Sequence, residues 1–158
     1  MTENTNADNG SANQQPEQQF ALQRIYIKDS SFEAPLGAQV FTKQWRPQVN
    51  VELNTQSSTV SEDNFEVVLT ITITAKIDDE AAFLVELQQA GLFFIKGLDG
   101  ENIHRVLGIM CPTILFPYAR ETIDSLVLKG SFPPLMLQPV NFEALYMQAA
   151  QQAANNLQ

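Results

Sequence analysis

The stretch FEVVLTITITAK, residues 65–76, decides the fold of this chain. From residue 65 to residue 73 every odd-numbered position is Phe, Val, Leu or Ile, whereas most even-numbered positions are Thr or Glu. A period of two predicts a β-strand with one buried face, and the β-branched content favours the same structure. An acidic turn at residues 78–80 follows, and residues 82–89 return with Phe83, Val85 and Leu87 on one face. The two segments therefore predict an antiparallel hairpin.

Two earlier segments predict further strands. Residues 20–28 are rich in Phe, Leu, Ile and Tyr, and their alternation changes parity between Leu22 and Ile25, which permits a β-bulge. After Pro47, apolar residues at 49, 51 and 53 alternate with polar ones, as in a half-buried strand. Gly91 is expected to end the sheet, so that residues 91–100 form a glycine-punctuated loop that carries several aromatic and aliphatic residues.

The second half of the chain predicts helices. Apolar residues recur at helical spacing from about Thr113 to Lys129, Pro117 is tolerable only in a first turn, and Gly130 is a natural stop. Three prolines between residues 131 and 140 require an extended segment, after which Asn141 is a good N-cap for a last helix. Strands followed by helices predict an α+β fold, with a four-stranded antiparallel sheet and helices packed on one face.

The length and composition predict one folded domain. The chain has 158 residues, which suits a single core. Residues 1–19 are polar and predict a disordered tail, residues 20–150 form the domain, and residues 151–158 predict a frayed C-terminal tail.

The charge and the cysteine content of the chain limit which cellular compartment and which binding partners we expect. Nine basic residues face eighteen acidic ones, and the formal net charge of −9 would repel the phosphates of nucleic acid. The single cysteine, Cys111, forms no intramolecular disulfide. Neither a signal peptide nor an apolar run long enough for a membrane span is found, so we expect a cytoplasmic protein with no direct membrane insertion.

Catalytic and cofactor motifs are sparse. His104 is the only histidine, so a Ser-His-Asp arrangement or a zinc site has too few candidates. No phosphate-binding glycine loop occurs, and the acidic pairs at residues 62–63 and 78–80 fit solvated turns. We therefore expect no enzyme activity, no cofactor and no metal.

The chain has more apolar groups than one small core needs, and this excess indicates a binding surface. They are the aromatic residues at 92–95, Phe132 among prolines, and the stripe Phe142, Leu145 and Tyr146 of the last helix. We expect them to form a binding groove or an oligomer interface. On the outer face of the sheet, Leu84 beside Glu86 is suited to anchor a partner, with leucine for burial and glutamate for charge selection.

Several motifs resemble the SecB family of bacterial protein-export chaperones. In chain order they are RIYIKD (24–29), SFEAP (31–35), EVVL (66–69), AFL (82–84), CP (111–112), LFPYARE (115–121) and PVNF (139–142). The resemblance covers about residues 20–150. It implies an ATP-independent holdase that assembles as a homotetramer, a dimer of dimers. It also implies that this holdase binds unfolded precursor proteins, keeps them translocation-competent and delivers them to the SecA translocation ATPase.

The resemblance also implies two sets of site residues. The positions that match the SecA-docking surface of the family are Asp29, Glu33, Leu84 and Glu86. Those that correspond to its peptide-binding groove are Trp45, Val51, Leu53, Phe93, Ile95, Phe142, Leu145 and Tyr146.

Two alternatives stay open on the sequence alone. One is a SecB-like chaperone specialised for an antitoxin. The other is an oligomeric adaptor without chaperone activity, in which the excess aromatic residues only close the assembly.

Overall fold

The computed structural model describes residues 17–157. Within them the strands are β1 (Gln19–Glu33), β2 (Gln48–Ser61), β3 (Asn64–Ile77) and β4 (Glu80–Lys96). They form one antiparallel sheet in the order β1-β4-β3-β2, so the chain crosses from β1 at one edge to β2 at the other. A 3-10 helix, Gly37–Thr42, lies on that crossover. The predicted four-stranded sheet is confirmed, whereas the tail predicted for residues 1–19 lies outside the described residues except for its last three.

The hairpin of β3 and β4 forms as the sequence predicts. Asp78 and Asp79 both adopt positive φ angles, 52° and 62°, as the tight two-residue turn requires. Odd-numbered side chains of β3 and β4 are buried against the helices, and we call this side of the sheet the inner face. The opposite side, which includes Thr72 and Glu86, is the outer face.

The helical layer covers only the inner face. It comprises α1 (Gly100–Arg105), one π-helical turn (Val106–Met110), α2 (Cys111–Lys129) and α3 (Phe142–Asn155). Fully buried side chains of α2 (Leu115, Ala119, Ile123 and Val127) pack on the sheet. Burying each large aliphatic group contributes about 1.5–3 kcal/mol, so this contact dominates the core.

The segment between α2 and α3, which contains the three prolines, forms neither helix nor strand, and Met136 within it has a positive φ angle of 49°. Asp124 of α2 holds this segment against the helix. The Oδ1 atom of Asp124 accepts hydrogen bonds from the backbone N–H groups of Leu135 at 2.9 Å and Met136 at 3.3 Å. Asn141 then caps α3, as predicted, by accepting a hydrogen bond from the N–H of Ala144 at 3.0 Å. This helix continues through Asn155, past residue 151 where the sequence placed the start of a frayed tail.

The expectation that Gly91 ends the sheet is wrong. Strand β4 runs through it to Lys96, so residues 92–95 are strand rather than loop. A Cβ atom on Gly91 would lie 2.7 Å from the ring of Phe93 and 3.0 Å from Leu115. This glycine therefore leaves room for the ring of Phe93 and for the close approach of α2, and it does not mark a turn.

Two helix expectations also need correction. Helical structure begins at Gly100 rather than near Thr113, so Pro117 lies inside α2 and not in a first turn. Phe132, which the sequence analysis counted among the apolar groups in excess of the core, is buried in it. Its ring centroid lies 5.0 Å from that of Phe83. It completes the core beneath the crossover between β1 and β2.

Candidate functional site

An open groove lies between strand β2 and the helical layer. Its volume is about 490 Å³. Leu53 forms the wall on the sheet side, and the walls on the helical side come from the π turn and α3. The apolar lining residues are Leu53, Leu107, Phe142, Leu145, Tyr146 and Ala149, and the polar ones are Asn54, Thr55, Ser57, His104, Gln148 and Gln152. An apolar floor with uncharged polar groups around it suits a ligand that has apolar side chains and an amide backbone.

Gly108 of the π turn allows α3 to sit where it does. A Cβ atom at this position would lie 2.7 Å from Cδ2 of Tyr146, so only glycine leaves room for the ring. The guanidinium of Arg105 lies 5.7 Å from the centroid of the same ring, and its Nη2 atom pairs with Oε1 of Glu143 at 3.0 Å. Both contacts are partly exposed and contribute about 0.5–1 kcal/mol each. Together with buried Phe142, they attach the first two turns of α3.

The structure brings together four of the eight predicted groove residues. They are Leu53, Phe142, Leu145 and Tyr146, which all line the groove. Phe93 and Ile95 do not line it, because they lie on the inner face of β4, 0% and 2% exposed, beneath the helices.

The remaining two predicted groove residues lie elsewhere on the inner side. Val51 is an exposed inner-face residue of β2, paired with Ile73, in the same row of side chains as Leu53. Trp45 belongs to an aromatic cluster at the crossover, with its centroid 5.2 Å from that of Phe132 and 6.3 Å from that of Phe83. Sequence reasoning missed His104 and the π turn as groove walls, since the helix was expected to begin after them.

The four residues predicted to dock SecA share one surface on the outer face. In the register of β1 with β4, Glu33 pairs with Leu84, Ser31 with Glu86 and Asp29 with Gln88. We call Asp29, Glu33, Leu84 and Glu86 the acidic face. Across the sheet, Thr72 pairs with Glu86 and also with Glu52 of β2, which adds a further carboxylate on the same side. Carboxylates around a partly exposed leucine favour a partner with basic and apolar groups.

A hydrogen-bonded cluster lies beside the acidic face. The hydroxyl of Tyr26 donates to Oε2 of Glu66, and Nζ of Lys28 pairs with Oε1 of the same carboxylate at 2.8 Å. Burial and this contact with Glu66 raise the pKa of Tyr26 to about 12. The hydrogen bonds from Lys28 and Tyr26 lower the pKa of Glu66 below its ordinary value. Near neutral pH Tyr26 is therefore a phenol and Glu66 a carboxylate.

Cys111 and His104, the single cysteine and the single histidine of the chain, lie in different surroundings. Cys111 is fully buried, and burial raises its pKa to about 12, so its thiol stays protonated and inert. His104 is exposed at the groove wall. None of the helices among residues 17–157 is long and apolar enough to cross a membrane.

A sheet with an open apolar groove on one side and carboxylates around a leucine on the other suits the class of proteins that bind polypeptides. The chain belongs to the SecB family, since residues 13–153 match the family model described as preprotein translocase subunit SecB. Similar proteins are the protein-export proteins SecB of Hahella chejuensis and Marinobacter nauticus. The first is 58% identical, over 94% of this chain and 95% of its own length. The second is 55% identical, over 94% of this chain and 89% of its own length. The chain is thus a protein-export chaperone and not an enzyme.

A solved structure supports the fold independently. The SecB-like chaperone of Mycobacterium tuberculosis, in complex with a ChAD peptide from the HigA1 antitoxin, has a TM-score of 0.65 with this chain. The similarity covers 77% of this chain and 90% of the other, at 16% sequence identity. At that identity the likeness concerns the fold alone.

Proposed function

We propose that this chaperone binds unfolded precursor proteins in the groove, keeps them translocation-competent in the cytoplasm, and delivers them to the SecA ATPase through the acidic face. The observation that carries the proposal is the open apolar groove between Leu53 and Tyr146. A holdase of this kind needs no nucleotide, because preferential binding to the unfolded state is enough to lower the population that can fold.

The lining of the groove suits many sequences. Its apolar residues accept a client side chain by burial, and one leucine-sized group contributes about 1.5–3 kcal/mol. Amide and hydroxyl side chains on the rim, such as Asn54 and Gln148, are able to hydrogen-bond to a client backbone whatever its sequence. A single groove therefore holds a client weakly and without strong sequence preference.

Assembly into a homotetramer, a dimer of dimers, compensates for weak single contacts. Exposed apolar side chains on the helical layer, Met110, Tyr118 and Leu128, favour an interface with further copies of the chain. Several grooves in one particle raise the effective concentration of neighbouring sites, so that a long client is held by avidity. Mass measurement of the native assembly, with and without an unfolded precursor, tests this step.

Leu145 offers a clean test of the groove, with Met147 as its matched control. Both are exposed apolar residues of α3, at 41% and 49%, but only Leu145 lines the groove. We expect Leu145→Gln to weaken retention of an unfolded precursor about tenfold and Met147→Gln to leave it unchanged. Equal retention by the two variants would refute client binding in the groove.

The adaptor alternative is tested on the same helix. If α3 only closes the assembly, replacing Phe142 and Tyr146 by Ala dissociates the oligomer. If α3 forms the groove, the oligomer persists and only client retention falls.

Docking of SecA is tested on the acidic face. We expect the double substitution Leu84→Ala with Glu86→Ala to abolish SecA binding while client retention persists. The control is Glu62→Ala in the β2–β3 turn, which removes one exposed carboxylate outside the acidic face. Unchanged SecA affinity in the double variant would exclude this surface as the docking site.

An antitoxin-specific role is a second candidate, since the M. tuberculosis neighbour is bound to an antitoxin peptide. Export is favoured, because the export proteins match at 54–58% identity and that neighbour at 16%.

A further inference from the structure

The groove contains one side chain whose charge changes near neutral pH. Apart from His104, its lining consists of aliphatic, aromatic, amide and hydroxyl residues and Gly108, with no carboxylate, ammonium or guanidinium group. Histidine is the only side chain that ordinarily gains or loses a charge between about pH 5 and pH 8. The groove lining is therefore uncharged when the imidazole is neutral and cationic when the imidazole is protonated.

His104 belongs to the wall on which α3 is seated. It lies in the last turn of α1, one turn before Leu107 and Gly108, which line the same groove. Residues at this spacing share one face of a helix, so the imidazole extends the wall that receives the ring of Tyr146. The side chain is exposed, and a client in the groove can reach it.

The charged groups around His104 leave an imidazolium uncompensated. Arg105 and Glu143 offset each other, because Nη2 of the first lies 3.0 Å from Oε1 of the second. Glu101, one turn earlier on α1, is exposed, and it forms no ion pair with His104 within residues 17–157. The π turn has no charged residue, α3 lines the groove with the phenol of Tyr146 and two amides, and β2 lines it with uncharged side chains. Protonation therefore adds a net positive charge to the groove.

Other groups of the chain do not reproduce this change. His104 is the only histidine, carboxylates ordinarily titrate below about pH 5, and burial raises the pKa of Cys111 to about 12. The α-amino group of the chain titrates near about pH 8, but it is present in every variant that alters residue 104. A difference between such variants and the wild type therefore reports on the imidazole.

We infer that His104 is a specificity-determining residue of the groove, which sets its preference for the charge of the client segment. With a neutral imidazole, the groove accepts an apolar segment that has Lys or Arg beside it. With an imidazolium, the same basic residues are repelled, whereas Asp or Glu in their place is attracted. This inference rests on the proposed binding of clients in the groove.

The size of the effect follows from the exposure of the imidazole. Two charges several ångströms apart in contact with water interact weakly and are screened by salt, so one flanking charge should change the affinity about two- to threefold. A peptide with one flanking Lys and a peptide with one flanking Glu shift in opposite directions. The ratio of their dissociation constants should therefore change about four- to ninefold on protonation.

Fluorescence anisotropy with three labelled peptides tests the inference on the full chain. The peptides share an unstructured apolar core of leucine and phenylalanine and differ only in one flanking residue, which is Lys, Glu or Gln. Between about pH 8 and about pH 5.5, a range above the titration of the peptide carboxylate, the wild type should lose affinity for the Lys peptide and gain affinity for the Glu peptide. The Gln peptide is the reference for any effect of pH that does not depend on the flanking charge.

Two substitutions of the same residue give opposite fixed states. His104→Gln should abolish the pH dependence of the Lys-to-Glu ratio and keep the ratio at the value that the wild type has at high pH. His104→Lys, which stays charged, should keep it near the value that the wild type reaches at low pH. These differences should disappear at about 1 M salt, where the screening length is about 3 Å. A ratio with the same pH dependence in the wild type and in His104→Gln would overturn the inference.

Leu145→Gln distinguishes this inference from the proposed function. Leu145 lines the groove without a charge, so its replacement should weaken all three peptides alike and leave the pH dependence of the ratio as in the wild type. If Leu145→Gln binds the peptides as tightly as the wild type, the groove is not the client site, and both proposals fail. If Leu145→Gln weakens binding but the wild-type ratio does not change with pH, the groove remains the client site and only the role of His104 fails.

Discussion

Replacing Gly108 by Ala tests whether Tyr146 is seated on the π turn. The new Cβ atom would lie 2.7 Å from Cδ2 and 2.9 Å from Cε2 of the ring, so the ring and the first turns of α3 must shift. Overpacking of this kind costs about 1–3 kcal/mol, and removing a glycine from a helix returns about 0.5–1 kcal/mol. We expect a net loss of up to about 2.5 kcal/mol in the free energy of unfolding, together with weaker retention of unfolded clients.

The sign of this effect should reverse when the ring is absent. In a Tyr146→Ala background the added methyl group meets no ring, so Gly108→Ala should stabilise the chain by about 0.5–1 kcal/mol. The assay is urea unfolding at matched protomer concentration, because assembly makes apparent stability depend on concentration. Destabilisation of equal size in both backgrounds would refute the packing of Tyr146 on Gly108.

Three further predictions follow from single side chains. Cys111 should react with a thiol reagent only as fast as the chain opens, and rapid labelling of the native protein would contradict its burial. Because folding lowers the pKa of Glu66, its stabilising contribution is present above its ordinary value of 4.5 and is lost as the pH falls through the lowered value. The difference in unfolding free energy between wild type and Glu66→Gln should therefore vanish in acid, and an unchanged difference would refute the contact. Asp124→Ala should cost about 1–3 kcal/mol in urea unfolding, because two backbone N–H groups lose their acceptor, whereas Asp124→Asn should retain most of the stability.

The sequence predicted the parts of the fold where one face is apolar and the other polar. The alternation of β3, the return of β4 to Gln89, the end of α2 before Gly130 and the cap at Asn141 are all confirmed. Each depends on a local preference that tertiary contacts reinforce. The bulge between Leu22 and Arg24 was foreseen for the same reason, because it reverses a visible alternation.

The predictions from sequence failed where both faces of a strand are apolar or where a glycine is needed for close packing. Residues 92–95 show no period of two, since Leu92 and Phe94 are apolar like their inward-facing neighbours, so the strand was taken for a loop. Gly91 and Gly108 are required by neighbouring rings, which no local pattern reveals. The bulge at Lys28 was not predicted, because residues 28–31 are all polar and show no apolar alternation.

The crossover from one sheet edge to the other has a consequence for the order of folding. Strands β3 and β4 meet through a two-residue turn, whereas Gln19 of β1 must find Lys96 at the far end of β4. Closing so large a loop is entropically costly before β4 is in place, so we expect β1 to pair last although it is synthesised first. Until then Leu22 and Ile25 remain exposed on a nascent chain. We therefore expect β1 to be the strand that makes this chaperone itself prone to aggregation during synthesis.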